Sequence, residues 1–331
     1  MNIHNRQLPL IFLISLLGLL MACQKKDVLE AKDPVQADTS TKLICPGCTF
    51  PDTVWHASGI GAKLIFRLNF DSSLTRLNSL GQPGAVSGNL GAQSPIVKRA
   101  IINYIELMPE SNSEPGKGVL LYSSPETSCG GLLASNFCEG ISVRNHEVVF
   151  SHSFQNISPG TYKWLRISVL YTELDLGVHS VSSGNTRASF GGFCGNRTYL
   201  SQLSLAGSVL TPSLGGTGNR NMGYWIYRSE VLGLEQKFDG QLSAITQVNP
   251  DPAFQNGMGQ SYTCGEFYNL GSNSPKPLTI TGTENQDHEI SLDISTNKSF
   301  EWIEKTYDGR FQPEIGEQVV DFGLRGLRPR H

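Results

Sequence analysis

The chain is short of charge and has no surplus of either sign. Lys and Arg number 26, Asp and Glu 29, and the net charge is −3. No basic surface of the kind that neutralises a phosphate backbone can be built from this sequence, which excludes nucleic acid as a partner. After residue 22 there is no apolar run of the ~20 residues that a membrane-crossing helix needs. No window sustains a capped 3.6-residue apolar period, so a helical protein is excluded too. A GxSxG elbow, a zincin helix, HxH and HExxH spacings, GxxxxGK[ST] and a strand–GxGxxG–helix are all missing. The chain therefore reads as a protein without catalytic activity.

Present in their place are 35 glycines and 17 prolines, with Ser, Asn and Thr clusters between short apolar runs. Lys63 to Phe70 sets Leu64, Phe66, Leu68 and Phe70 on one face, the period-2 pattern of a half-buried strand. Glu147 to Phe154, Thr161 to Tyr171, Ala100 to Leu107, Gly223 to Arg228, Leu242 to Val248 and Glu289 to Ile294 read as further strands. Many short strands with turns between them predict an all-β fold, a mostly antiparallel β-sandwich or jelly-roll-like domain over residues 45–331.

The amino-terminal segment predicts the compartment. Asn2 to Gln7 are mostly polar and contain Arg6, and Leu8 to Leu20 follow as an apolar run too short to span a bilayer, the layout of a secretory signal. The run ends in Leu20-Met21-Ala22-Cys23, which resembles the bacterial lipobox. The resemblance implies cleavage before Cys23, removal of residues 1–22, and acyl chains on Cys23. Several acyl chains hold a protein on a membrane where one binds reversibly. Residues 23–44 are polar and read as a flexible tether.

With Cys23 set aside for lipid, Cys45, Cys48, Cys129, Cys138, Cys194 and Cys264 remain. An even set in an exported chain reads as disulfides, and six cysteines allow 15 pairings. Cys129 with Cys138, Cys45 with Cys48, and Cys194 with Cys264 form one such set. Cys45-Pro46-Gly47-Cys48 is a CxxC without the βαβ setting of a redox motif or the second pair of a structural zinc site, so a structural disulfide is its expected role.

Three groups of residues are candidates for a site. His146 and His152 are an even six apart and would share a face within one strand; with His179, Met222 or His288 they would offer soft ligands for copper or zinc. Glu173 and Asp175, and separately Glu284, Asp287 and Glu289, are carboxylate clusters of the kind that suit calcium or general acid–base work on a glycosidic bond. In Met222 to Tyr227, Trp225 and Tyr227 point oppositely to Tyr224 and Ile226, so one face joins the core and the other is a stacking platform. Trp225 and Tyr227 are the ligand-stacking candidates.

The lipobox, polar tether and Gly/Ser/Asn-rich β domain together resemble Bacteroidota-type secreted lipoproteins. Asp52-Thr53-Val54 is similar to that group's O-glycosylation triplet. Leu64 to Phe70, Ile101 to Leu107 and the Met222–Tyr227 segment are ordered as in the MbnP-like family, with Glu106 where that family has Ser. That resemblance implies a β-sandwich and adds weight to copper. The expectation is a lipid-anchored binding or accessory protein of the outer membrane or cell surface, contacting a glycan, a peptide or an envelope protein. A copper- or zinc-binding protein and a glycan-active hydrolase are the alternatives.

Overall fold

Two sheets turn their apolar faces to one another. The computed structural model describes residues 55–331 apart from 79–80, 112, 182–183, 195–196, 206–207, 211–218, 221–222, 232–233, 243–261 and 323. The described residues are all-β, in mostly antiparallel sheets that do not close into a barrel, as a β-sandwich requires.

The first sheet has five strands in the order Trp55–His56, Val148–Ser153, Lys63–Asp71, His288–Ser295 and Arg325–Arg330. Its central strand, Lys63–Asp71, alternates buried and half-buried residues without a break. The second sheet has eight strands. Its path runs Leu234–Gln241, Tyr224–Val231, Gly184–Phe193, Trp164–Ser180, Ile96–Met108 and Val119–Ser123. Tyr262–Glu266 pairs beside the first half of Trp164–Ser180, and Ile141–Val143 beside Ile96–Met108. Register shifts near Ser168 to Tyr171 divide the long strand. Its first half pairs with Tyr262–Glu266 and its second half with Gly184–Phe193.

Leu64, Phe66 and Leu68 of the first sheet share one core cluster with Ile102, Ile105, Ile167, Leu176 and Phe190 of the second. Burial of each such side chain contributes about 1.5–3 kcal/mol. A three-stranded sheet, in the order Gln318–Phe322, Phe300–Ile303 and Leu90–Gln93, adds Phe300, Trp302 and Val319 to that core. On the other face of the eight-stranded sheet, Ile101, Phe137, Tyr171, Phe193, Leu200 and Leu205 make a smaller cluster.

The predicted strands form, with shifted ends: Glu147 to Phe154 becomes Val148–Ser153, and Ala100 to Leu107 extends to Ile96–Met108. The predicted Leu242 to Val248 strand lies largely outside the described residues. Gly184–Phe193 was not legible as a strand because Gly191 and Gly192 sit inside it. The fold needs both glycines. A Cβ on Gly191 would lie 2.4 Å from the Tyr171 hydroxyl, and one on Gly192 2.7 Å from the Phe322 ring.

Candidate functional site

The predicted platform is core. Trp225 is 7% exposed and Tyr227 1%. Trp225 stacks on Phe190 at 5.6 Å, and Tyr227 lies 5.6 Å from Phe238. Tyr224 and Ile226, on the opposite face, are packed against the smaller cluster. The strand is covered on both sides, so the ligand-stacking assignment of Trp225 and Tyr227 is corrected to packing.

The metal candidates do not assemble. His146 stands in a turn before the Val148–Ser153 strand, with φ of 64°, and its N–H donates to the Leu68 carbonyl. The turn breaks the even spacing, so His146 and His152 do not share a strand. His152 is buried beside Trp55, and His179 Nδ1 lies 3.0 Å from Asn185 Oδ1 on the neighbouring strand. Met222 lies outside the described residues. Among the described residues no three His, Cys, Asp or Glu side chains are grouped as a metal site.

The carboxylates are engaged elsewhere. Glu173 and Asp175 share the outer face of their strand, where Asp175 pairs with Lys98 at 3.0 Å and accepts a bond from Ser189 Oγ. Glu284 accepts from the Thr281 and Gly282 N–H groups in a turn. Asp287 accepts from Lys63 N–H, and Glu289 is held in a two-point pair with Arg67.

The disulfide expected between Cys194 and Cys264 is not formed. Burial pushes the Cys194 thiol up to about 12, which makes it unreactive at neutral pH. Cys23, Cys45 and Cys48 lie outside the described residues.

A cleft that the sequence did not point to opens where edge strands of the two main sheets meet. It encloses about 440 Å³ and is lined by Trp55 from the edge of the five-stranded sheet, by Leu120, Tyr122 and Ser123 from the edge of the eight-stranded sheet, and by Pro125, Glu139, Gly140 and Ile141. Trp55 lies flat on Phe150, at 4.7 Å between ring centres and 6° between planes. Tyr122 meets the Trp55 ring edge-on at 5.4 Å, and His152 tilts against it at 5.8 Å. The Tyr122 hydroxyl donates to the Glu139 carbonyl, tying the two walls together. Burial first, and the nearby Glu139 second, push Tyr122 up to about 12, so it remains a neutral donor. Gly140 has to be glycine: a Cβ there would lie 2.3 Å from Ile101 Cγ2. Leu120, 48% exposed, forms an apolar lip.

Aromatic rings, an apolar lip and a carboxylate residue around one opening are the features of a ligand site. The residues come from separate segments of the chain, and none stands in a motif, so no sequence signal marked them.

No family model matches the chain, and no curated protein or solved structure is similar to it.

Proposed function

We propose that this protein is a lipid-anchored binding module of the bacterial outer membrane or cell surface, and that the Trp55 cleft takes a sugar unit of a glycan. The observation that carries the ligand reading is the cleft itself, in which a Trp and a Tyr ring stand beside Glu139. An aromatic wall suits the flat C–H face of a pyranose, and a carboxylate suits its hydroxyls. The anchoring part of the reading is supported by Leu20-Met21-Ala22-Cys23 and the polar residues after it. The resemblance to Bacteroidota-type lipoproteins and to the MbnP-like family belongs to the same proposal. The copper, zinc and hydrolase alternatives rested on His146, His152, His179, Met222, Glu173 and Asp175, of which His152 and Asp175 are taken up in packing and an ion pair.

The test is a fluorescence titration with a panel of oligosaccharides, using the full mature chain and its Trp55→Ala variant. Saturable quenching that the substitution abolishes, with the fold retained by circular dichroism, is the expected result. Equal binding by both proteins, or no binding by either, overturns the glycan reading. Binding of short peptides alone, lost with Trp55, would keep the site and replace the ligand. For the anchor, labelled fatty acid should enter the wild-type chain and not Cys23→Ala.

A further inference from the structure

One charge in the Trp55 cleft has no counterpart. Among the described residues that line it, Glu139 alone is charged, and no Lys, Arg or His stands with it. Its carboxylate is in no ion pair among the described residues. The bond from the Tyr122 hydroxyl goes to the Glu139 carbonyl and leaves the carboxylate untouched. That carboxylate is still near enough to the hydroxyl to hinder its ionisation, which sets the charge beside the rings.

The aromatic surface lacks a cation as well. Phe150 covers one face of Trp55, so a cation can approach only the other. Elsewhere the chain meets both needs itself. Arg166 lies over the Tyr262 ring at 5.5 Å, Arg220 over Tyr224 at 5.2 Å and Arg328 over Tyr268 at 5.4 Å. Asp175 pairs with Lys98 at 3.0 Å, and Asp293 with Arg330 at 2.7 Å. At the cleft a carboxylate and aromatic rings share one opening, and the described chain supplies a cation to neither.

We propose that the sugar taken by the cleft carries a free amine, whose ammonium meets the Glu139 carboxylate and the face of Trp55 that Phe150 leaves uncovered. This inference rests on the glycan reading of the same cleft and narrows it to amino sugars. An aromatic face attracts a cation through the ring quadrupole. The N–H bonds of an ammonium can also be accepted by the carboxylate and by the exposed Ser123 hydroxyl on the cleft wall. A neutral sugar strips water from the carboxylate without giving it a charge partner, which weakens binding. An N-acetylated sugar has the same defect, because acylation removes the positive charge.

The test compares three oligosaccharides of one length and linkage that differ only in the group on the second ring carbon: a free amine, an acetamide and a hydroxyl. Each is titrated calorimetrically into the full mature chain at about pH 6, where an amine and a carboxylate are both charged. The amine form should bind about tenfold more tightly than the other two, and salt should shrink that preference. Glu139→Gln keeps the backbone tie to Tyr122 and should reduce the preference to about twofold or less. Equal affinities for all three, each lost in Trp55→Ala, overturn the amine and leave the glycan reading standing. A preference that survives Glu139→Gln overturns the amine's assignment to that carboxylate. Failure of all three to bind overturns the amino sugar together with the glycan reading, and binding of a lysine peptide in their place would give the cleft to a protein ligand.

Discussion

The Val119–Ser123 strand serves two clusters that are finished in opposite ways. Just before its first residue, Gly118 N–H donates to Glu106 Oε1 at 2.7 Å, and Tyr104 donates to Glu106 Oε2 at 3.0 Å. Arg166 pairs with that same oxygen at 2.9 Å, donates to the Ser113 carbonyl, and lies over the Tyr262 ring. Both charged side chains are 0% exposed. At the other end of the strand, Tyr122 and Ser123 wall a cleft that stands open. The first cluster is closed by its own loop, whose backbone satisfies the buried carboxylate. The second has aromatic surface with nothing of the described chain laid across it. A polar group completed by its own backbone is part of the fold, whereas an aromatic wall left open is available for binding.

The comparison can be broken most severely at the closed cluster. Glu106→Leu leaves Arg166 buried without its carboxylate and should cost about 3–5 kcal/mol. Chemical denaturation would show it as a lowered midpoint, and a loss under about 1 kcal/mol would mean that water reaches the pair. At the open cleft, Gly140→Ala forces a methyl into Ile101 and should cost about 1–3 kcal/mol, read in the same way. Tyr122→Phe removes only the bond to the Glu139 carbonyl and should cost about 1 kcal/mol while weakening ligand binding measurably.

The smallest effect lies away from both clusters and supplies a baseline for pH. His288 and His331 stand 5.1 Å apart. Burial, with Lys276 adding to it, lowers both below their ordinary value of 6.5; Glu284 opposes this at His288, and the Lys276 carbonyl opposes it at His331. The unfolded chain binds these protons more readily than the folded one. Stability is therefore full above 6.5 and declines as pH falls through that value toward the lowered folded values. His288→Gln should flatten that decline in denaturation midpoints measured at about pH 7.5 and about pH 5. An unchanged slope would show that His288 does not contribute to it.

Much of the fold was legible because strand patterns are local. Lys63 to Phe70 announced its inward face through alternation, and the structure buries those same four side chains. Gly184–Phe193 was hidden, since the demand for Gly191 and Gly192 comes from Tyr171 and Phe322 on other strands. The Met222–Tyr227 run showed its two faces but not what covers them. Only the packed sheets reveal that Phe190 covers one side and the Phe193 cluster the other. Glu106 was marked only as standing where the MbnP-like pattern has Ser, and its partner Arg166, 60 residues away, could not be read from spacing.

The sequence by itself determined the β class, the alternation of the core strands, and the expectation of export and lipidation at Cys23. These depend on the order of residues along a few turns or strands. Tertiary structure alone decided that Trp225 and Tyr227 are packing, that His146 and His152 part at a turn, and that Trp55, Tyr122 and Glu139 share a cleft. Each of those outcomes depends on which distant edge meets which, and local periodicity carries no information about contacts between edges far apart in the chain.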